Sequence, residues 1–231
     1  MKKKKKQPIK RVLSIAFWMA IPATFAVGAL CLITFLVLFD KLEIFPERWV
    51  LFVFGVMGSI AVLQGSKLAR FRIFVHEAKH ALAVFVSGAK LKGFAANDVE
   101  GEVSYEIPED QAHYMPVIGL APYCFPLFSL PVLAAALFFG EQSRDAYTLA
   151  LGFAMGLDLS LSAGEIDPRQ TDFGTVAGGF FASALYIGGT LFMWGSVCVL
   201  WVLGGRNAFL VAGYLALRMV RLFTERYVGV R

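Results

Sequence analysis

Ile73-Phe74-Val75-His76-Glu77-Ala78-Lys79-His80-Ala81-Leu82-Ala83-Val84-Phe85-Val86-Ser87-Gly88 sets two imidazoles and a carboxylate into an otherwise apolar run. The run reads as a helix that stops at Ser87-Gly88. Positions i and i+4 share one helix face, with β-carbons about 5–6 Å apart. His76 and His80 can therefore close on one zinc ion at about 2.0–2.1 Å each. Glu77 sits about 100° around the helix from His76. That places it to reach a water in the open metal position, as a general base, rather than the metal itself. An H-E-x-x-H run of this kind points to a zinc metalloprotease. Charged and titratable groups in an apolar helix are costly unless they bind something. The chain has only three histidines, and two are in this run. The third, His113, reads as a solvated loop residue. Lys79 lies about 60° from His76 on the wheel, close to the metal face. It is expected to snorkel toward a basic link or to pair with an acid.

Outward from this run the chain is strongly apolar. Apolar residues make up 58% and charged residues 17%, against about 25% charged in ordinary soluble domains. They gather in long blocks, and a helix needs about 20 residues to cross a bilayer. In lipid every backbone polar group must be bonded internally, which favours helices here. The expected fold is an all-α membrane protein: a polytopic bundle of about six transmembrane helices, with a small β-hairpin after the H-E-x-x-H helix. The spans fall at about 12–39, 49–65, 73–88, 114–139, 146–163 and 173–203. The fourth is broken by Pro122, Pro126 and Pro131 within Leu120-Ala121-Pro122-Tyr123-Cys124-Phe125-Pro126. The fifth carries one acid, Asp158. Residues 89–107 have strand character, with Val103 and Tyr105 alternating on the second strand. Cys31, Cys124 and Cys198 lie in apolar blocks without C-x-x-C spacing and read as small buried hydrophobes.

The net charge is +5, with a cluster of lysines in the first eleven residues. Followed at once by an apolar block, this cluster reads as a cytoplasmic anchor by the positive-inside rule, not as a nucleic-acid arm. The block reads as a retained span, since it is longer than a signal-peptide core. The organisation is then 1–70, a basic N-terminus with two leading spans; 71–203, a catalytic membrane core; and 204–231, a basic C-terminal interfacial tail.

A catalytic zinc usually has three protein ligands and an open position. With no further histidine in a span, the third ligand should be a carboxylate: Asp158, Glu165, Asp167 or Asp172. Basic residues place the N-terminus, 66–72 and the tail on the inner side, so six spans put 164–172 outside. Counted from the inner helix ends, His80 is about 12 Å deep and Asp158 about 20 Å. By depth Asp158 is the easier ligand. Asp172 requires the segment 164–172 to fold back, which is tolerated where backbone lines a protein cavity.

The order of features resembles the site-2 protease family of intramembrane zinc metalloproteases. H-E-x-x-H lies on an apolar helix, followed by a polar hairpin and a proline-containing span. Then come the helix Thr148 to Leu161, a proline-bearing extended stretch, and Asp172-Phe173-Gly174 opening another span. The resemblance covers about 70–180. The family has Asp-Gly where this chain has Asp-Phe-Gly, so the match there is partial. The resemblance implies Zn2+ held by His76, His80 and Asp172, with Glu77 as the base. Asp158 is left to pair with Lys79 or line a water path, and Glu165 and Asp167 to be solvated loop charges.

The expected activity is hydrolysis of peptide bonds in membrane-associated proteins or peptides. The expected surroundings are a lipid bilayer, in a prokaryotic plasma membrane with a cytoplasmic N-terminus. A nucleic-acid partner is not expected. Two other classes fit the same apolar chain: a non-proteolytic transporter or metal-binding membrane protein, and a catalytically dead relative that binds membrane partners. Glu77 discriminates, because a transporter has no need of a base that is not a ligand.

Overall fold

The computed structural model of the chain describes residues 14–39, 46–65, 69–97, 100–140, 142–167 and 170–227. The lysine-rich start, the 40–45 link, Lys67, Asp98, Pro168 and Arg231 lie outside these. Among the described residues there are seven α-helices: α1 (Ile15–Phe39), α2 (Pro46–Gly65), α3 (Ala69–Val86), α4 (Met115–Cys124), α5 (Ser129–Phe139), α6 (Arg144–Ala163) and α7 (Gly179–Tyr227). One antiparallel hairpin joins them, β1 (Lys90–Ala96) with β2 (Gly101–Glu106).

Four helices, α1, α2, α6 and α7, are long and apolar enough to cross a membrane, or five spans if α4 and α5 count as one broken span. Against the expectation of about six, one of the expected spans falls outside this set, and the expected proline break is present. Helix α3 is not in the set, because Arg70, Arg72, His76, Glu77, Lys79 and His80 dilute its apolar character. The stretch 114–139 is two helices, interrupted at 125–128 beside Pro126, which has no N–H to continue the helix. The last span begins at Gly179 rather than 173, since Thr171–Thr175 forms a 3-10 turn. The tail continues as helix to Tyr227 beyond a non-helical Gly205.

Helix α3 ends where the sequence signals it. Gly88 adopts φ +73, a left-handed value that suits glycine, and the Ala89 N–H returns to the Val84 carbonyl at 3.1 Å. The hairpin follows directly. Its turn is closed by Asn97, whose side-chain oxygen accepts from the Glu100 N–H at 2.8 Å. Ala96 pairs with Gly101 and Phe94 with Val103. On β2, Gly101, Val103 and Tyr105 are the more buried set and Glu102, Ser104 and Glu106 the exposed one, the period of two expected of a half-covered strand.

The backbone groups into two compact units. The first comprises residues up to Ile21, Leu68–Phe125 and Leu161–Gly188; the second Pro22–Lys67, Pro126–Ser160 and Gly189–Arg231. The core of the first is Ala83, Val84, Ile118 and Ala121, with Val103 and Tyr105 against it. This ties α3, α4 and the hairpin together. The second is centred on Phe52, Leu133, Leu151, Trp201 and Val202. Within it the Arg206 guanidinium donates to the Leu137 carbonyl at 2.6 Å, near the C-terminal end of α5 where a cation is favoured. The three cysteines are free and buried, as expected.

Candidate metal centre

His76 and His80 lie one turn apart on α3, with ring centroids 5.0 Å apart. Each ring is held by its Nδ1. That of His80 donates to the Ile118 carbonyl at 2.8 Å, and that of His76 meets the Glu165 carboxylate. With the proton on Nδ1, each Nε2 carries a lone pair. Both Nε2 atoms face the same oxygen, Asp172 Oδ2, at 3.7 Å from His76 and 3.8 Å from His80. All three donor atoms lie within 4.8 Å of one another. Tetrahedral ligands at zinc distances stand about 3.3 Å apart, so a small inward shift of side chains would bring these three to a common ion. Three electron pairs converging in a half-buried site is the arrangement a cation relieves. The residues therefore fit a divalent metal.

Asp172 comes from the 3-10 turn Thr171–Thr175, which has no side-chain cap of its own. The Tyr123 hydroxyl of α4 donates to its Oδ2 at 2.9 Å. Burial works to raise the Asp172 carboxyl, but the two neighbouring imidazoles and the hydrogen bond from the Tyr123 hydroxyl outweigh it. The group is held below the usual carboxylate range. On the hairpin, burial pushes the Tyr105 phenol up, with the charge of Asp172 adding to the effect.

Glu77 is 8% exposed and opens into the same cavity as both histidines and Asp172. This cavity has a volume of about 330 Å3, and β2 supplies Gly101, Glu102, Val103 and Tyr105 to its wall. Gly101 passes against the Glu77 side chain so closely that a β-carbon there would stand 2.5 Å from Oε1. The glycine is what allows strand and carboxylate to share this space.

Of the candidate carboxylates, Asp172 joins the two histidines. Asp158 instead caps α5, accepting from the Ser129 N–H at 2.9 Å, the Ser129 hydroxyl at 2.7 Å and the Phe128 N–H at 3.2 Å. Glu165 and Asp172 thus both reach residues of α3. Glu165 is not the solvated charge expected but the partner of His76, while Asp167 is exposed. His113 sits on the 3-10 turn Glu109–Tyr114 with its ring against Tyr114, outside the convergent set. Lys79 does not snorkel. It is 1% exposed, and its Nζ donates to Ser162 Oγ at 3.0 Å and the Pro122 carbonyl at 3.4 Å.

Tyr123 was not singled out from sequence, and Glu165 was named there only as a candidate ligand, not as the partner of His76. The one available signal for Tyr123 was a lone hydroxyl between two prolines in an apolar run. Comparisons with protein-family models, curated proteins and solved structures gave no match.

Proposed function

We propose that the chain is an integral membrane zinc metalloprotease acting on membrane-associated proteins or peptides. The observation that carries this reading is the convergence of His76 Nε2, His80 Nε2 and Asp172 Oδ2, with Glu77 in the same cavity and outside the ligand set. The lipid setting is supported by the four long apolar helices and by large apolar side chains facing outward on them, such as Phe54 on α2 at 69% exposure. Localisation to a prokaryotic plasma membrane with the N-terminus inside rests on the lysine-rich start.

When bound, zinc supplies a Lewis acid that polarises a peptide carbonyl and makes a water acidic. His76, His80 and Asp172 are the residues that would hold it, and the same cavity offers room for a substrate. Glu77 would serve as the base that takes a proton from the attacking water and gives it to the leaving amine. Its burial keeps that carboxylate out of bulk solvent. The β2 residues of the cavity wall offer an extended peptide a strand to lie beside.

The test is zinc analysis and peptide cleavage by the purified protein in detergent, beside Glu77→Gln. The expected result is near-stoichiometric zinc in both, with cleavage in the variant lower by roughly 10²–10⁴-fold. A variant that keeps zinc and full activity sinks the protease reading. Such a result would favour a transporter, which does not need the base.

A further inference from the structure

Tyr123 is fully buried and makes one polar contact of evident purpose, its hydroxyl on Asp172 Oδ2 at 2.9 Å. Its ring stands edge-on to His76, with centroids 5.7 Å apart and planes at 87°. On the other side it packs against Phe173, the residue after Asp172, at 4.9 Å. It therefore touches one histidine, the carboxylate and the carboxylate's neighbour at once.

The backbone beneath Tyr123 is pinned as well. Pro126 has no N–H, so the Pro122 carbonyl loses its ordinary helical partner four residues on. The Ser162 hydroxyl donates to that carbonyl at 3.0 Å and Lys79 Nζ at 3.4 Å. Lys79 lies between the two histidines on α3, so the helix that carries the imidazoles also fixes the position of residue 122. Asp172 comes from a short 3-10 turn that has no side-chain cap of its own.

We propose that Tyr123 is the positioning residue for the third metal ligand. This rests on the metal-site reading above. Its hydroxyl occupies one lone pair of Asp172 Oδ2 and so aims the other at the space between the imidazoles. Lys79 and Ser162 act one step further back, by holding the carbonyl of Pro122. An outer partner of this kind is worth about 10–100-fold in metal affinity.

The experiment measures Zn2+ affinity by competition with a chromophoric chelator, for the full-length wild type, Tyr123→Phe, Asp172→Asn and the double variant. Thermal unfolding of the metal-free proteins runs alongside. Tyr123→Phe is expected to bind Zn2+ about 10–100-fold more weakly, with the metal-free midpoint within a few degrees of wild type. Because the phenol acts through the carboxylate, adding Tyr123→Phe to Asp172→Asn should change affinity less than about 2-fold. Wild-type affinity in Tyr123→Phe, full additivity in the double variant, or a collapse of metal-free stability would each overturn the proposal. Failure of the wild type itself to bind Zn2+ would instead overturn the metal-site reading.

Discussion

Asp158 lies within α6 and Asp172 on the 3-10 turn ahead of α7, and the surroundings of the two acids are opposite in kind. Asp158 is met by donors: the Phe128 and Ser129 amides and the Ser129 hydroxyl, with Trp194 donating to that hydroxyl in turn at 2.7 Å. The N-terminus of a helix is where a carboxylate is stabilised, and there the acid needs nothing further. Asp172 accepts one hydroxyl, but its oxygen also faces two imidazole nitrogens whose protons are committed elsewhere. A carboxylate facing donors belongs to the framework, whereas one facing other acceptors asks for a cation. The contrast sets the two acids apart more sharply than burial does.

The contrast breaks most readily by exchanging the roles of the two acids. Asp172→Ala should lower Zn2+ affinity by more than the roughly 10–100-fold of an outer partner, while Asp158→Ala should leave zinc content unchanged. Zinc lost from the Asp158 variant and kept in the Asp172 variant would reverse the assignment. Glu165→Gln keeps the shape of the side chain but gives His76 a neutral partner, and a 10–100-fold weaker Zn2+ affinity is expected by titration. No change would return Glu165 to the status of a loop charge. Asp158→Asn leaves buried donors at α5 imperfectly matched, at a cost of about 1–3 kcal/mol measured by unfolding, with no effect on metal. Ser129→Ala, which removes one hydroxyl from the same cap, should be milder, at about 1 kcal/mol.

What the sequence disclosed follows from how far each feature reaches along the chain. His76, Glu77 and His80 were legible because helical spacing alone puts them together. The hairpin and the stop at Gly88 were legible because turn chemistry is local. Asp172 was named from its motif against a depth count that favoured Asp158; that count assumed straight spans, whereas Glu165 and Asp172 both meet residues of α3. The span count differs because the charged residues of α3, the candidate metal residues among them, leave it outside the helices apolar enough to cross. Glu165 and Tyr123 meet their partners across 89 and 49 positions of sequence, where no periodicity applies. Lys79 looked like a misfit on the metal face until Pro126 explained the carbonyl that receives it.

Gly101 carries a consequence for how this protein can vary. Hairpin positions near a turn ordinarily accept almost any residue, yet at this one the space of a single methyl group belongs to the carboxylate of Glu77. Any side chain there displaces a flexible glutamate rather than a rigid strand, so the variants should fold normally. In a library of all twenty amino acids at position 101, sorting for expression would pass nearly every member. Sorting for the proposed peptide cleavage should return glycine.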